Sequence, residues 1–160
     1  MDIVVGIGDL AISNNESDTI KTYALASCVA VTAYCPKKKV AGMIHVALPS
    51  PPEKGYGIEK PGYYATTGIP LLINKLCSEF GCSREDLNIN LFGGAESINK
   101  NDVFNIGIRN IEAATMVLSK MKVRVRKAEV GGVQSRTLEI DVAEGNIKVS
   151  CQPIIYGHEY

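Results

Sequence analysis

Two apolar runs separated by a short basic segment constrain the fold of this chain more than any other feature of its sequence. Residues 22–34 and 40–49 are rich in Val, Ala, Ile and Tyr. The segment CPKKK at 35–39 separates them as a turn would. The pattern predicts an antiparallel β-hairpin.

The register of this hairpin decides which side chains meet across it. If Pro36 and Lys37 are the two central turn residues, Cys28 lies opposite His45 on the same face. Directly opposed residues have Cβ atoms about 4.5–5.5 Å apart, which would let an imidazole take a thiol proton. The sequence therefore predicts a thiolate–imidazole pair, and a slip of one residue would place the two side chains on opposite faces.

The charge balance and the amino terminus exclude several classes of protein. Seventeen basic residues balance seventeen acidic ones, so no net field attracts nucleic acid or an anionic membrane. The first residues lack a basic start followed by a long apolar run, and nowhere do about eighteen apolar residues follow one another. We expect a single cytoplasmic domain over 1–160, with its core at about 2–151, a C-terminal tail at 152–160, and no membrane insertion.

The cysteines are expected to be reduced thiols, because the chain carries no secretion signal. Their spacing does not suit a zinc site, and no glycine-rich segment has the spacing of a nucleotide-binding loop. We therefore expect neither a metal nor a cofactor. Of the five cysteines, only Cys28 is predicted to lie near a histidine; the others are Cys35, Cys77, Cys82 and Cys151.

The remaining patterns predict a mixed α+β layered domain with helices on one side of a sheet. One helix should begin near Thr66 or Thr67, either of which could cap it, and end at Gly81. A second amphipathic helix is predicted near 107–120, with Ile108, Ile111, Thr115 and Leu118 on one face. Further strands are predicted at 2–12, 89–92, 123–130, 136–143 and 147–151, and irregular loops at 50–62 and 93–97.

Six short strings in order resemble the chemoreceptor glutamine deamidases of the CheD family. They are SCVAV (27–31), HVALP (45–49), KPGYYA (60–65), FGGA (92–95), NIGIRN (105–110) and a late GG followed by Arg136. The resemblance runs from about residue 3 to 151. It implies a single-domain layered α/β/β sandwich, with two main helices on mixed, largely antiparallel sheets. It also implies hydrolysis of glutamine side-chain amides on the cytoplasmic helices of chemoreceptors, giving glutamate and ammonia.

The resemblance also implies roles for individual residues. It places the nucleophile at Cys28, the general base and acid at His45, and the residue that orients the imidazole at Thr22. Because Thr22 lies six residues before Cys28, a local bend would have to bring its hydroxyl to the imidazole. Backbone N–H groups around Ser27 and Cys28 are the expected oxyanion donors.

Partners and alternatives follow from the same resemblance. Receptor helices are expected to bind near the loop 50–62, with Tyr56 and Tyr63 as aromatic contacts, and a CheC-type phosphatase that mimics the receptor is a further candidate partner. Receptor methyl esters present the same acyl centre, so a methylesterase side activity is expected. Family members commonly have Gly at position 26; if a positive φ is needed there, Ala26 would shift the nucleophile and favour an adaptor with little catalysis. A general cysteine amidohydrolase acting on small amides is the other alternative.

Overall fold

The computed structural model describes residues 1–96 and 104–154, and within them the chain forms one mixed α+β domain. The strands are β1 (Asp2–Val4), β2 (Leu10–Ser13), β3 (Thr19–Leu25), β4 (Val29–Cys35), β5 (Val40–Val46), β6 (Asn88–Gly93), β7 (Val125–Val130), β8 (Gln134–Asp141) and β9 (Ile147–Pro153). The helices are α1 (Lys54–Glu59), α2 (Ala65–Phe80) and α3 (Ile106–Lys120), with short 3-10 turns at Pro61–Tyr63 and Arg84–Asp86.

The strands form two sheets that pack face to face. The five-stranded sheet has the order β2-β5-β4-β6-β7, and the four-stranded sheet has the order β1-β3-β8-β9. Neighbouring strands are antiparallel except for the parallel pairs β1–β3 and β6–β7. The predicted mixed, largely antiparallel architecture is confirmed.

Each face of the five-stranded sheet packs against a different layer. Val29, Val31 and Ala33 of β4 belong to the apolar cluster that includes the buried residues of α2 and α3. Cys28, Ala30 and other residues of opposite parity belong to a second cluster shared with the four-stranded sheet. Strands β4 and β5 are therefore buried on both faces, which explains their almost continuous apolar sequence. The result is the expected α/β/β order of layers.

The predicted hairpin is present as β4 and β5, but its predicted register is wrong by two residues. Cys35 pairs with Val40, so four residues rather than two form the turn, and Lys39 adopts a φ of 51° within it. Ala30, not Cys28, therefore lies opposite His45. A shift of two preserves the face, and Cys28 lies one residue before the first paired residue, Val29.

Two of the predicted strands are interrupted. The predicted strand at 2–12 is two strands in different sheets, because the chain turns at Gly8, which has a φ of 83°. The run 22–34 is divided at residues 26–28, where the chain crosses from the four-stranded to the five-stranded sheet. Hydrophobic composition alone cannot reveal such a crossing, since both strands bury apolar side chains.

The segments outside the core strands differ less from expectation. The loop 50–62 contains α1 and a 3-10 turn, so it is more regular than predicted. Tyr64 is the N-cap of α2, which places Thr66 and Thr67 inside the helix rather than at its cap, whereas Gly81 ends it as predicted, with a φ of 70°. The other strands occur within about two residues of their predicted bounds. The predicted loop 93–97 and the predicted tail at 152–160 extend beyond Glu96 and residue 154, outside the described residues.

Candidate active site

The three candidate catalytic residues come from both sheets and from the crossing between them. Thr22 lies on β3 of the four-stranded sheet, His45 lies on β5 of the five-stranded sheet, and Cys28 immediately precedes β4. Between Thr22 and Leu25 the pairing of β3 with β8 changes register. Ala24, in this bulge, has a φ of 54° and donates its N–H to the Thr137 hydroxyl. The bulge supplies a local bend between Thr22 and Cys28.

Position 26 does not need the backbone freedom of glycine. Among the described non-glycine residues, four have a positive φ, and these are Ala24, Lys39, Asn105 and Lys122. Ala26 is not one of them. The backbone at Ala26 therefore does not require glycine, and the expected displacement of Cys28 does not follow from it.

A chain of hydrogen bonds fixes the tautomer of His45. Thr22 Oγ1 lies 2.7 Å from the carbonyl oxygen of Val5 and 2.7 Å from Nδ1 of His45. A hydroxyl has one proton, and the Val5 carbonyl can only accept, so Thr22 donates to Val5 and accepts from Nδ1–H of His45. In the neutral imidazole, Nε2 then carries the free lone pair.

His45 is buried and is held neutral by its surroundings. Its residue surface is 3% exposed, and its Nε2 atom is buried without a hydrogen-bond partner among the described residues. Burial lowers the pKa of His45 to about 4, while the nearby Asp9 carboxylate acts in the opposite direction. At neutral pH Nε2 is thus an unprotonated acceptor.

Cys28 is also buried and neutral. It is 4% exposed, and burial raises the pKa of its thiol to about 11, although a hydrogen bond from its own backbone N–H lowers that pKa. The two pKa shifts favour a neutral thiol and a neutral imidazole over the thiolate–imidazole pair predicted from the sequence. Cys28 packs in the apolar cluster between the two sheets, and the hydrogen bond of His45 to Thr22 turns its imidazole toward the same layer. The arrangement suits proton transfer during attack by the sulfur rather than a preformed ion pair.

The backbone on either side of Cys28 is held by three consecutive carbonyl groups. The carbonyl of Ala26 accepts the N–H of Ala95 at 2.7 Å, and that of Cys28 accepts the N–H of Gly94 at 2.8 Å. Between them, the carbonyl of Ser27 accepts a hydrogen bond from Asn110 Nδ2 at 2.9 Å. Ser27 itself is buried. The segment that carries Cys28 is therefore fixed residue by residue.

Hydrophobic periodicity did not identify Asn110 or the carbonyl of Val5. On α3, Ile108 is 41% exposed and Thr115 is exposed, so these two residues of the predicted face lie toward solvent. The buried face instead contains Gly107, Asn110 and Ala114 together with Val117 and Leu118. A polar side chain does not contribute to an apolar pattern, and a backbone carbonyl leaves no mark in the sequence. The i, i+3 and i+7 spacing of Gly107, Asn110 and Ala114 was the available signal.

The two candidate partner-binding tyrosines differ in their environment. Tyr56 on α1 is 50% exposed. Tyr63 is half-buried, packs edge-on against Tyr64 with ring centroids 5.4 Å apart, and lines an open cavity of about 480 Å³. Gly8 and Asp9 also line this cavity and exchange backbone hydrogen bonds with His45. The cavity therefore borders the strand that carries the imidazole.

Two features are absent from the described part of the chain. No group of three or more His, Cys, Asp or Glu side chains within residues 1–96 and 104–154 is arranged to hold a metal ion. In the same residues, no helix is both long enough and apolar enough to cross a membrane.

Comparisons with known proteins identify similar chains. A family model described as CheD chemotactic sensory transduction matches residues 47–151. The "Probable chemoreceptor glutamine deamidase CheD" of Syntrophotalea carbinolica is 42% identical over 153 residues, covering 94% of each chain. "Probable chemoreceptor glutamine deamidase CheD 1" of Syntrophus aciditrophicus is 36% identical and covers 92% of each chain. A similar protein from the archaeon Pyrococcus abyssi is 36% identical, covering 92% of this chain and 90% of its own.

One solved structure has a similar fold. The crystal structure of Bacillus licheniformis hypothetical protein YfiH superimposes with a TM-score of 0.52 at 13% sequence identity. The match covers 76% of this chain and 49% of that structure. At this identity the similarity concerns the fold alone.

Proposed function

Because the chain belongs to the CheD family of chemotaxis proteins, we propose that it hydrolyses glutamine side-chain amides on chemoreceptors, giving glutamate and ammonia. The observation that carries this proposal is the hydrogen-bond chain from Val5 through Thr22 to His45, which leaves Nε2 free on the sheet face shared with Cys28. The substrates named for the relatives in this family are chemoreceptors. We infer that their cytoplasmic helices present the glutamines, which places the reaction in the cytoplasm.

The first half of the reaction forms a thioester. His45 Nε2 takes the proton of the Cys28 thiol as the sulfur attacks the amide carbon of the glutamine. The carbonyl oxygen gains the negative charge and accepts hydrogen bonds from backbone N–H groups near Cys28. When the C–N bond breaks, the imidazolium returns its proton to the departing nitrogen, and ammonia leaves.

The second half hydrolyses the thioester. His45 deprotonates a water molecule that attacks the same carbon, and the C–S bond breaks. The proton returns to the sulfur, so the enzyme is restored and the product is glutamate. A hydroxyl suffices behind His45 because a thiol needs less activation than a serine hydroxyl, for which a carboxylate usually supports the imidazole. A receptor methyl ester would react through the same steps with methanol as the leaving group.

The receptor is expected to contact the surface formed by α1 and the adjacent 3-10 turn. Tyr56 offers an exposed aromatic side chain there, and Tyr63 lines the cavity next to β5. Aromatic residues contribute strongly to protein interfaces. A CheC-type phosphatase that presents a receptor-like helix would bind the same surface.

Intact-mass measurement on a receptor fragment tests the proposal. The wild-type protein should add the mass that distinguishes a hydroxyl from an amide NH2, while Cys28→Ala should lose at least about a thousandfold in rate. Cys151→Ala is the matched control, because Cys151 is exposed on β9, and it should keep the wild-type rate. More than a tenth of the rate remaining in Cys28→Ala would eliminate Cys28 as the nucleophile.

The same assay separates the alternative functions. Receptor binding by the wild-type protein with an unchanged mass would indicate an adaptor. Hydrolysis of free glutamine at the rate of the receptor fragment would instead indicate a general amidohydrolase.

A further inference from the structure

We propose that Asn110 is a positioning residue that orients the peptide bond between Ser27 and Cys28, so that the N–H of Cys28 faces the oxyanion. This inference rests on the proposed function, because it assigns a geometric cause to the oxyanion site of that reaction. The side chain acts through the backbone and does not itself contact the reacting atoms.

The side-chain amide of Asn110 links two segments of the site. Asn110 is fully buried, and its Nδ2 donates to the carbonyl of Ser27 at 2.9 Å and to that of Ala47 at 3.0 Å. Ser27 precedes the nucleophile, and Ala47 lies two residues after His45. Both protons of one nitrogen are thus used to hold the Cys28 segment and the end of the His45 strand together.

The chemistry of the neighbours fixes the orientation of this amide. Both partners are carbonyl oxygens, so a flipped amide would place Oδ1 against two other acceptors. In the observed orientation Oδ1 is buried without a hydrogen-bond partner among the described residues. The orientation therefore leaves one buried acceptor unsatisfied while both donors bind the Ser27 and Ala47 carbonyls.

The planarity of the peptide bond transmits this contact to Cys28. No cis peptide bond occurs in the described residues, so the C=O of Ser27 and the N–H of Cys28 point in opposite directions. Because Asn110 holds the carbonyl, the N–H must point away from α3. No carbonyl or side-chain oxygen in the described part of the chain accepts this N–H. It is therefore available to an oxyanion that forms on the carbon bonded to that sulfur.

The packing of α3 holds Asn110 against the carbonyl groups of Ser27 and Ala47. A Cβ atom at Gly107 would meet the carbonyl oxygens of Ala95 and Gly94 well inside van der Waals contact. The absence of a side chain at Gly107 thus lets the helix approach residues 94–95, whose N–H groups donate to the carbonyl groups of Cys28 and Ala26. Asn110 lies one helical turn further along the same face. Gly107 and Asn110 of the NIGIRN string thus both support the nucleophile segment.

Two reactions of Cys28 distinguish positioning from general support of the fold. Acylation by 4-nitrophenyl acetate creates an oxyanion as the sulfur attacks and 4-nitrophenolate leaves, whereas alkylation by iodoacetamide creates none. In Asn110→Ala, the rate of Cys28 acylation should fall about 10- to 100-fold, part of the loss that follows removal of an oxyanion donor. The rate of Cys28 alkylation should change by less than about threefold, since thiol ionisation governs it.

Peptide mass mapping of Cys28 measures both rates, and Asn74→Ala is the matched control. Asn74 is an exposed asparagine on α2 whose side-chain oxygen accepts a hydrogen bond from Arg84. This control should change neither rate. A proportional fall of both rates in Asn110→Ala, or no fall in either, would overturn the proposal, as would a wild-type Cys28 that is alkylated but not acylated.

The remaining outcomes are also decisive. If Asn110→Ala does not fold, Asn110→Ser replaces it, and the same selective loss of acylation is expected. Loss of folding in both variants, shown by urea unfolding, would assign Asn110 to the fold alone and overturn the inference. Neither reaction needs a receptor, so failure of the receptor assay would reject the proposed function while leaving this comparison intact.

Discussion

At the scale of single residues, one hydroxyl proton determines which nitrogen of His45 can act as a base. Thr22 gives its proton to the carbonyl of Val5, so Nδ1 of His45 must donate and Nε2 must accept. In sites with a serine nucleophile, a carboxylate orients the histidine and fixes its tautomer in this way. A threonine adds no buried negative charge, which suits a site where burial already keeps the pKa of His45 at about 4.

Replacing Thr22 tests this assignment. Thr22→Val keeps the shape and the β-branching but removes both hydrogen bonds, so the deamidation rate should fall about 10- to 1,000-fold, part of the benefit of acid–base catalysis. The Val5 carbonyl and His45 Nδ1 would be left buried without partners, which should cost about 1–3 kcal/mol of unfolding free energy. Thr22→Ser should recover much of both losses. Deamidation rates and urea midpoints measure the two effects.

The chain offers a matched control for this substitution. Thr32 on β4 is also fully buried, but its hydroxyl has no hydrogen-bond partner in the described residues. Thr32→Val should leave the rate unchanged and should not lower the unfolding free energy. A Thr22→Val protein with full activity would leave only Cys28 and His45 in the catalytic set.

A sequence pattern can predict the position of a side chain but not the role of a backbone group. Cys28 and His45 could be paired because they are reactive residues on the two strands of a predicted hairpin, on the same face and near its open end. Thr22 required the family resemblance, since a strand threonine has no distinctive pattern. The Val5 carbonyl could not be predicted, because any residue supplies the same group, and Asn110 interrupts the apolar face by which its helix is recognised.

At the scale of elements, the crossing between the two sheets places Cys28 on the face it shares with His45. The bulge at Ala24 ends the regular part of β3, and the chain then passes over residues 26–28 into β4. Turn length sets the hairpin register, and the tetrapeptide at 36–39 could form a turn of two or four residues. The sequence therefore predicted the hairpin and the shared face, but not the residue opposite His45.

The close approach of α3 to the segment that carries Cys28 can be tested at Gly107. A methyl group in Gly107→Ala would collide with the backbone of Gly94 and Ala95, so the helix must move outward. Acylation of Cys28 should fall at least about tenfold as Asn110 is displaced, and the unfolding free energy should fall by about 1–3 kcal/mol. Stopped-flow acylation and urea unfolding measure these changes.

Gly55 on α1 provides the comparison for that substitution. A Cβ atom there would meet no atom within 4 Å, and its φ is not positive. Gly55→Ala should therefore leave the acylation rate unchanged and stabilise the helix slightly, by up to about 1 kcal/mol. If Gly107→Ala behaves in the same way, the tight packing of α3 does not control the site.

The two tyrosines of the candidate receptor surface should respond differently to substitution. Tyr56→Ala should weaken receptor binding about tenfold or more while leaving acylation by a small ester unchanged, because its side chain is exposed on α1. Tyr63→Ala should also lower the urea midpoint, because its ring packs against Tyr64 and Gly8. Equal losses with receptor and ester in Tyr56→Ala would place that residue in the catalytic site instead.

At the scale of the whole molecule, the reactive pair lies in the apolar layer between two sheets. The fold class could be predicted, because long apolar strands and two amphipathic helices permit few layered arrangements. The assignment of strands to sheets could not, because β1 and β2 are separated by only a few residues yet join different sheets. Burial between the sheets raises the pKa of Cys28 and lowers that of His45, and the fold therefore keeps both groups neutral.

This burial makes folding sensitive to acid in a way that one substitution can isolate. In the unfolded chain His45 is protonated below its ordinary pKa of 6.5, whereas in the folded protein it stays neutral until about pH 4. The contribution of neutral, buried His45 to the unfolding free energy is therefore lost as the pH falls through this window. Between pH 7 and pH 5, wild type should lose about 2 kcal/mol more unfolding free energy than His45→Gln. Urea unfolding of both proteins at the two pH values measures this difference, and the contribution of the carboxylates that both proteins share cancels in the comparison. Equal losses would mean that His45 is hydrated and readily protonated, which would contradict the neutral-pair chemistry.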